Sequence, residues 1–67
     1  MAHRTVGDSV KTLRKMAGQS QAALAQRAGI DRVTLLRIEK GHMAPRMDTL
    51  EAIAKALRTT PSKLLAA

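Results

Sequence analysis

The chain has no cysteine, no aromatic residue and only five acidic side chains in 67 residues. Without cysteine there are no disulfide staples and no thiolate-bound zinc, the usual supports at this size, so packing alone must hold the core. The absence of Phe, Tyr and Trp argues against a binder of single-stranded nucleic acid, which stacks bases on aromatic rings. Five acidic residues against twelve Lys and Arg leave a formal charge of +7, which favours a polyanionic partner, duplex DNA ahead of an anionic membrane surface. No run approaches the roughly 20 apolar residues of a membrane span, and residues 1–4 are too short and polar for a secretory signal, so a cytoplasmic protein is expected. What the chain does have is 45% hydrophobic residues, enough for a folded core and too many for a disordered basic tail. Its length leaves room for one domain, residues 1–67.

Apolar residues fall at helical spacing almost throughout, while period-two alternation and β-branched clusters are nearly missing. An all-α fold follows, a compact bundle of five helices. Val6, Val10, Leu13 and Ala17 form one stripe on a first helix that Thr5 caps and Gly18 ends. Ser20 opens a short second helix with Leu24, Ala25 and Ala28 inward and Gly29 as its stop. Asp31 caps a third that runs through Leu35 and Ile38 to Gly41. After a loop at 42–45, Met47, Leu50, Ile53, Ala54 and Leu57 make the inner face of a fourth helix, leaving Glu51, Lys55 and Arg58 outside. Thr60 followed by Pro61 starts a fifth that returns Leu64 and Leu65 to the core. Met16 and Met47 read as core filler.

Two short helices joined by a tight glycine turn on a basic chain have the form of a helix-turn-helix, spanning about 20–41. Ala25 is small where the helices cross, Gly29 takes the sharp turn, and Ile30, Leu35 and Ile38 fill the angle between them. Arg32, Val33, Leu36 and Arg37 must then point away from the protein. The run QAALAQRAGIDRVTLLRIEKG at 21–41 resembles the phage repressor and Cro family of DNA-binding domains. So do LRK at 13–15, the loop ending in Pro45, TLEAIAKAL in the fourth helix and the final Leu64-Leu65, so that the likeness covers nearly the whole chain.

That resemblance implies a homodimer placing one third helix per subunit in successive major grooves of a pseudo-palindromic operator, as a repressor of transcription. It puts Arg32 and Arg37 where the family reads base edges. A guanidinium donates bidentately to guanine O6 and N7, and the competing use for either arginine is phosphate pairing. Val33 is placed to touch a thymine methyl, while Leu36 is either a fourth base-facing residue or a tolerated exposed side chain. Gln21, with Ser20 beside it, falls where the family contacts phosphate; capping alone also accounts for Ser20, and solvation for Gln21. Thr34, Lys40, His42 and Arg46 are further phosphate or minor-groove candidates, although Lys40 also suits a helix C-terminus without any DNA. Arg46 departs from the family's Ser or Thr at the start of the fourth helix, where Asp48 compensates through the dipole, and Gln19 departs from its apolar residue before the second. Arg14 and Glu39 occupy positions that form a partly buried ion pair in several relatives, and the same pair is expected here. The dimer contact implied is 57–61 with the last helix.

The two histidines, His3 and His42, have no cluster at ligand spacing, so neither a metal nor a cofactor is expected. Ser20, Asp31 and a histidine make no triad without an oxyanion hole or cleft, so no catalytic residue is assigned and no enzyme is expected. A competing class is an antitoxin or other protein-interaction module that neutralises a partner protein and binds DNA for autoregulation. Relatives of that kind carry an extra partner-binding segment, whereas only Ala66 and Ala67 follow the fifth helix here. A membrane-surface role ranks last, because the cations are spread over several helices and no aromatic anchor occurs.

Overall fold

Four of the five helices start at a residue whose side chain accepts from an amide that has no partner within the helix. In a computed structural model describing residues 5–65, the first helix, α1 (Val6–Met16), opens at Thr5. The Thr5 hydroxyl accepts from the Asp8 amide at 3.1 Å and the Asp8 carboxylate accepts from the Thr5 amide at 3.3 Å, a reciprocal capping box. α2 (Gln21–Ala28) opens at Ser20, whose Oγ accepts from the Ala23 amide at 3.0 Å. α3 (Arg32–Glu39) opens at Asp31, whose carboxylate accepts from the Val33 amide at 3.1 Å. α4 (Met47–Ala56) follows Arg46, which makes no side-chain cap bond. α5 (Pro61–Leu65) begins with proline, and the Thr60 Oγ1 accepts from the Lys63 amide at 3.3 Å. No strand occurs among the described residues. Residues 1–4, 66 and 67 lie outside them, and with them His3, the polar N-terminus and the final alanines considered above.

The first four helices end alike. In each, the amides of the two residues after the last turn reach back to carbonyls inside the helix: Gly18 to Lys15 and Gln19 to Arg14, Gly29 to Gln26 and Ile30 to Ala25, Gly41 to Ile38 and His42 to Arg37, Arg58 to Lys55 and Thr59 to Ala54. The geometry needs a left-handed residue at the turn. Glycine supplies it after α1, α2 and α3, and Arg58, at φ 57°, supplies it after α4.

The helices close on Val10, Leu24, Ala25, Leu35, Ile38, Leu50, Ile53, Ala54 and Leu64, all buried, with Val6, Leu13, Ala28, Ile30, Ala56 and Leu57 packed around them. α2 lies against both α3 and α4, α1 against α3 and α5, and α5 also against α4. Fully burying one such aliphatic side chain contributes about 1.5–3 kcal/mol, so a core without aromatics or staples rests on the packing of these side chains alone. Four apolar residues expected inside are not. Met16 is 76% exposed, Met47 59% and Leu65 56%, and Ala17 is exposed as well. All four sit at a helix end, where the stripe continues in sequence after the neighbouring helix has run out.

Gly7 is buried in the first turn of α1, where a Cβ would collide with the Ile38 carbonyl oxygen and lie 3.1 Å from that of Glu39. The closest approach of α1 to the end of α3 therefore depends on a missing side chain.

Candidate nucleic-acid interface

At about 100° per residue, Arg32, Leu36, Lys40, Val33 and Arg37 fall on one continuous arc of α3 and its last turn, with Leu35 and Ile38 on the other side and Glu39 at the margin next to Arg32. Burial follows that division: Arg32, Val33, Arg37 and Lys40 are exposed, while Leu35, Ile38 and Glu39 are buried. Leu36, expected to point wholly outward, is half-buried, as is Thr34 at the edge of the arc. The open face of α3 therefore carries three cations around one exposed valine, with no carboxylate among them.

The far end of α3 is tied down by charge. Arg14 Nε donates to Glu39 Oε2 at 2.7 Å and Nη2 to Oε1 at 3.1 Å, a two-pronged pair with both residues buried. The remaining guanidinium nitrogen, Nη1, donates to the Gln19 carbonyl at 2.8 Å, which fixes the turn leading into α2. Gln21 completes the network, its Nε2 donating to Glu39 Oε1 at 3.1 Å. One buried carboxylate thus joins α1, the first residue of α2 and the last of α3. The Gln19 side-chain carbonyl is buried without a partner, at the position where the chain departs from the family's apolar residue.

The other candidates surround this frame. Ser20 is exposed and its hydroxyl caps α2; Gln21 is half-buried, with one amide hydrogen still free of the Glu39 bond. His42 and Arg46 are exposed on the loop between α3 and α4, and Arg46 Nη2 lies 3.3 Å from Asp48 Oδ2 with both side chains largely in solvent. Among the described residues, no group of three or more His, Asp or Glu side chains is placed to hold a metal ion, and no helix is long and apolar enough to cross a membrane.

Sequence reasoning missed two contributors. The Gln21 bond to Glu39 depends on how the helices cross, and no local pattern encodes it. Gly7 did carry a signal: a glycine inside a helical stripe weakens the helix and so marks a close approach of backbone.

Two short helices around a left-handed glycine, with the open face of the second lined by cations, define a helix-turn-helix protein. The helix-turn-helix family model HTH_3 matches residues 10–64, and the chain belongs to that family. It is 42% identical over 53 residues to the immunity repressor protein of Bacillus phage phi105, an alignment covering 79% of this chain and 37% of that repressor, so the chain spans well under half of its relative's length. The fold matches the P22 c2 repressor in complex with a synthetic operator at a TM-score of 0.89 and 30% identity, over 94% of this chain and 96% of that one. It also matches the N-terminal DNA binding domain of SinR from Bacillus subtilis, with a TM-score of 0.90 and 30% identity over 97% and 96% of the two chains.

Proposed function

We propose that this chain is a sequence-specific regulator of transcription that binds double-stranded DNA, with residues 1–67 acting as one DNA-binding domain and no enzymatic activity. The observation that carries the reading is the α3 arc, where Arg32, Val33, Arg37 and Lys40 face solvent on a helix fixed at its far end by the Arg14–Glu39 pair. A positive, rigid helix of this kind enters a major groove, where arginine reads guanine and valine meets a thymine methyl. Arg32 and Arg37 read base edges, Val33 and Leu36 supply apolar contact, and Leu36 reaches the bases only through the part of its side chain that is not buried. Ser20, Gln21, Thr34, Lys40, His42 and Arg46 hold the phosphate backbone and set the register of α3. The chain acts in the cytoplasm as a homodimer on a pseudo-palindromic operator, through 57–61 and α5, and represses.

Site selection from randomised duplex DNA near physiological salt, followed by titration against scrambled DNA, tests this directly. An inverted repeat with guanine in each half-site is expected. Arg32→Ala or Arg37→Ala should cost about 1–3 kcal/mol and relax the preference at one guanine, whereas Lys40→Ala should weaken all sequences alike and lower the salt slope by about 1. A pool that never enriches would remove the proposal.

A further inference from the structure

A groove of about 440 Å³ lies between the C-terminal ends of α2 and α4, lined by Arg27, Ala28, Ala52, Lys55, Ala56 and Arg58. No residue of α3 or of the loop after it contributes. The three charged residues are all cations and all exposed, and among the described residues the ion pairs are Arg14–Glu39 and Arg46–Asp48, so none of the three has a carboxylate. Glu51, one turn before Lys55 and spaced to neutralise it, neither pairs with it nor lines the groove. The half-buried alanines keep the floor low, which leaves room for another chain's backbone.

A second observation concerns Arg58. Cations at helix C-termini are favoured by the helix dipole, and that alone accounts for Arg27 and Lys55. It does not account for an arginine held at φ 57°, a conformation that L side chains resist and that the chain assigns to glycine after α1, α2 and α3. The one non-glycine residue with positive φ among the described residues supplies the groove's third cation.

We propose that this groove docks an acidic segment of a partner protein, whose carboxylates pair with Arg27, Lys55 and Arg58 while its backbone rests on the alanine floor. Guanidinium forks suit carboxylates bidentately. A second copy of the chain, which the proposed dimer would set against 57–61, brings no acidic segment to the groove, because its five acids are scattered: Asp8 and Asp31 at helix caps, Glu39 in the buried pair, Asp48 against Arg46, and Glu51. Duplex DNA, engaged by α3, would meet different elements. The inference therefore stands independently of the DNA reading.

Titration of the full-length, isotope-labelled chain with a decaglutamate peptide, followed by NMR, is the test. The amides of Arg27, Ala28, Lys55, Ala56 and Arg58 should shift, and Arg27→Glu with Lys55→Glu should weaken the peptide by about tenfold or more, the combined effect expected of several exposed ion pairs. Arg58→Gly should raise the melting temperature yet weaken the peptide. A variant that gains stability and keeps full peptide affinity would mean that Arg58 is only tolerated, and the proposal fails. It fails equally if nothing shifts, or if the shifts fall on Arg32 and Arg37. Duplex affinity provides the remaining arm: Arg27→Gln with Lys55→Gln should lower it no more than Lys11→Gln with Lys15→Gln, which removes the same charge from exposed positions of α1. A larger loss would assign the groove to DNA phosphates instead. Site selection reads α3, while the amides of Arg27, Ala28, Lys55 and Ala56, which lie outside the proposed 57–61 dimer contact, read the groove, so the two can fail separately.

Discussion

α1, α2 and α3 begin at Thr5, Ser20 and Asp31, each accepting a backbone amide, and are followed by Gly18, Gly29 and Gly41 in the left-handed conformation; α4 begins at Arg46, which caps nothing, and is followed by Arg58, which adopts that conformation against its own Cβ. The three optimised helices are the ones that fix the orientation of α3. The fourth departs at both ends from what stability alone would select, and both departures put an exposed arginine on the surface. Residues set against local preference are candidates for contact with a ligand, and of the two only Arg46 has an ion-pair partner in the fold, the exposed Asp48. The two arginines lie at different places: Arg46 adjoins the loop after α3, and Arg58 lines the α2–α4 groove.

The largest way to break the contrast is to attack the frame of the first three helices. Glu39→Ala leaves the Arg14 guanidinium buried without its partner and frees the Gln21 amide, and should cost about 3–5 kcal/mol. Thermal or denaturant unfolding reads this directly, and an unchanged midpoint would mean the pair contributes nothing to stability. A mirrored exchange of caps sharpens the contrast. Asp31→Ala should lose about 1 kcal/mol and Arg46→Ser gain a similar amount, roughly 4–8 °C in melting temperature each way for a domain of this size. Arg46→Ser should at the same time weaken DNA uniformly across sequences; if it gained stability with no loss of affinity, Arg46 would have no role in binding. The smallest effect belongs to Arg58→Gly. Relief of about 1–2 kcal/mol of left-handed strain is offset by about 0.5–1 kcal/mol for ordering a glycine, leaving a net gain of roughly 0.5 kcal/mol. A loss of stability would show that the arginine side chain contributes to packing.

Much of this was legible in the sequence, because short helices announce their ends. Thr5, Ser20, Asp31, Gly29 and Pro61 each perform the local task their chemistry suits, and the stripes built on Val10, Leu24, Leu35, Ile53 and Leu64 are the core. The Arg14–Glu39 pair was implied by resemblance alone, since 25 residues separate the partners and no local period links them. Met16, Met47, Ala17 and Leu65 misled for the opposite reason: helical period assigns a face, but only the length of the neighbouring helix decides whether that face is covered at its ends. Leu36 shows the same limit on the open arc, where it is half-buried. Arg58 offered no warning, because nothing in the string of letters marks a left-handed residue that is not glycine.

The bare Cα of Gly7 against the carbonyls of Ile38 and Glu39, together with the Arg14 fork on the Glu39 side chain, grips the last turn of α3 by both its backbone and its side chain. Sliding such a helix along its axis or rolling it would break the Arg14 fork or open the Gly7 contact. On the reading proposed here, the entropy of fixing the probe is spent during folding, before any encounter with DNA. Accommodation then falls to the duplex, and sequences that bend or untwist easily would be favoured even at base pairs that no side chain touches.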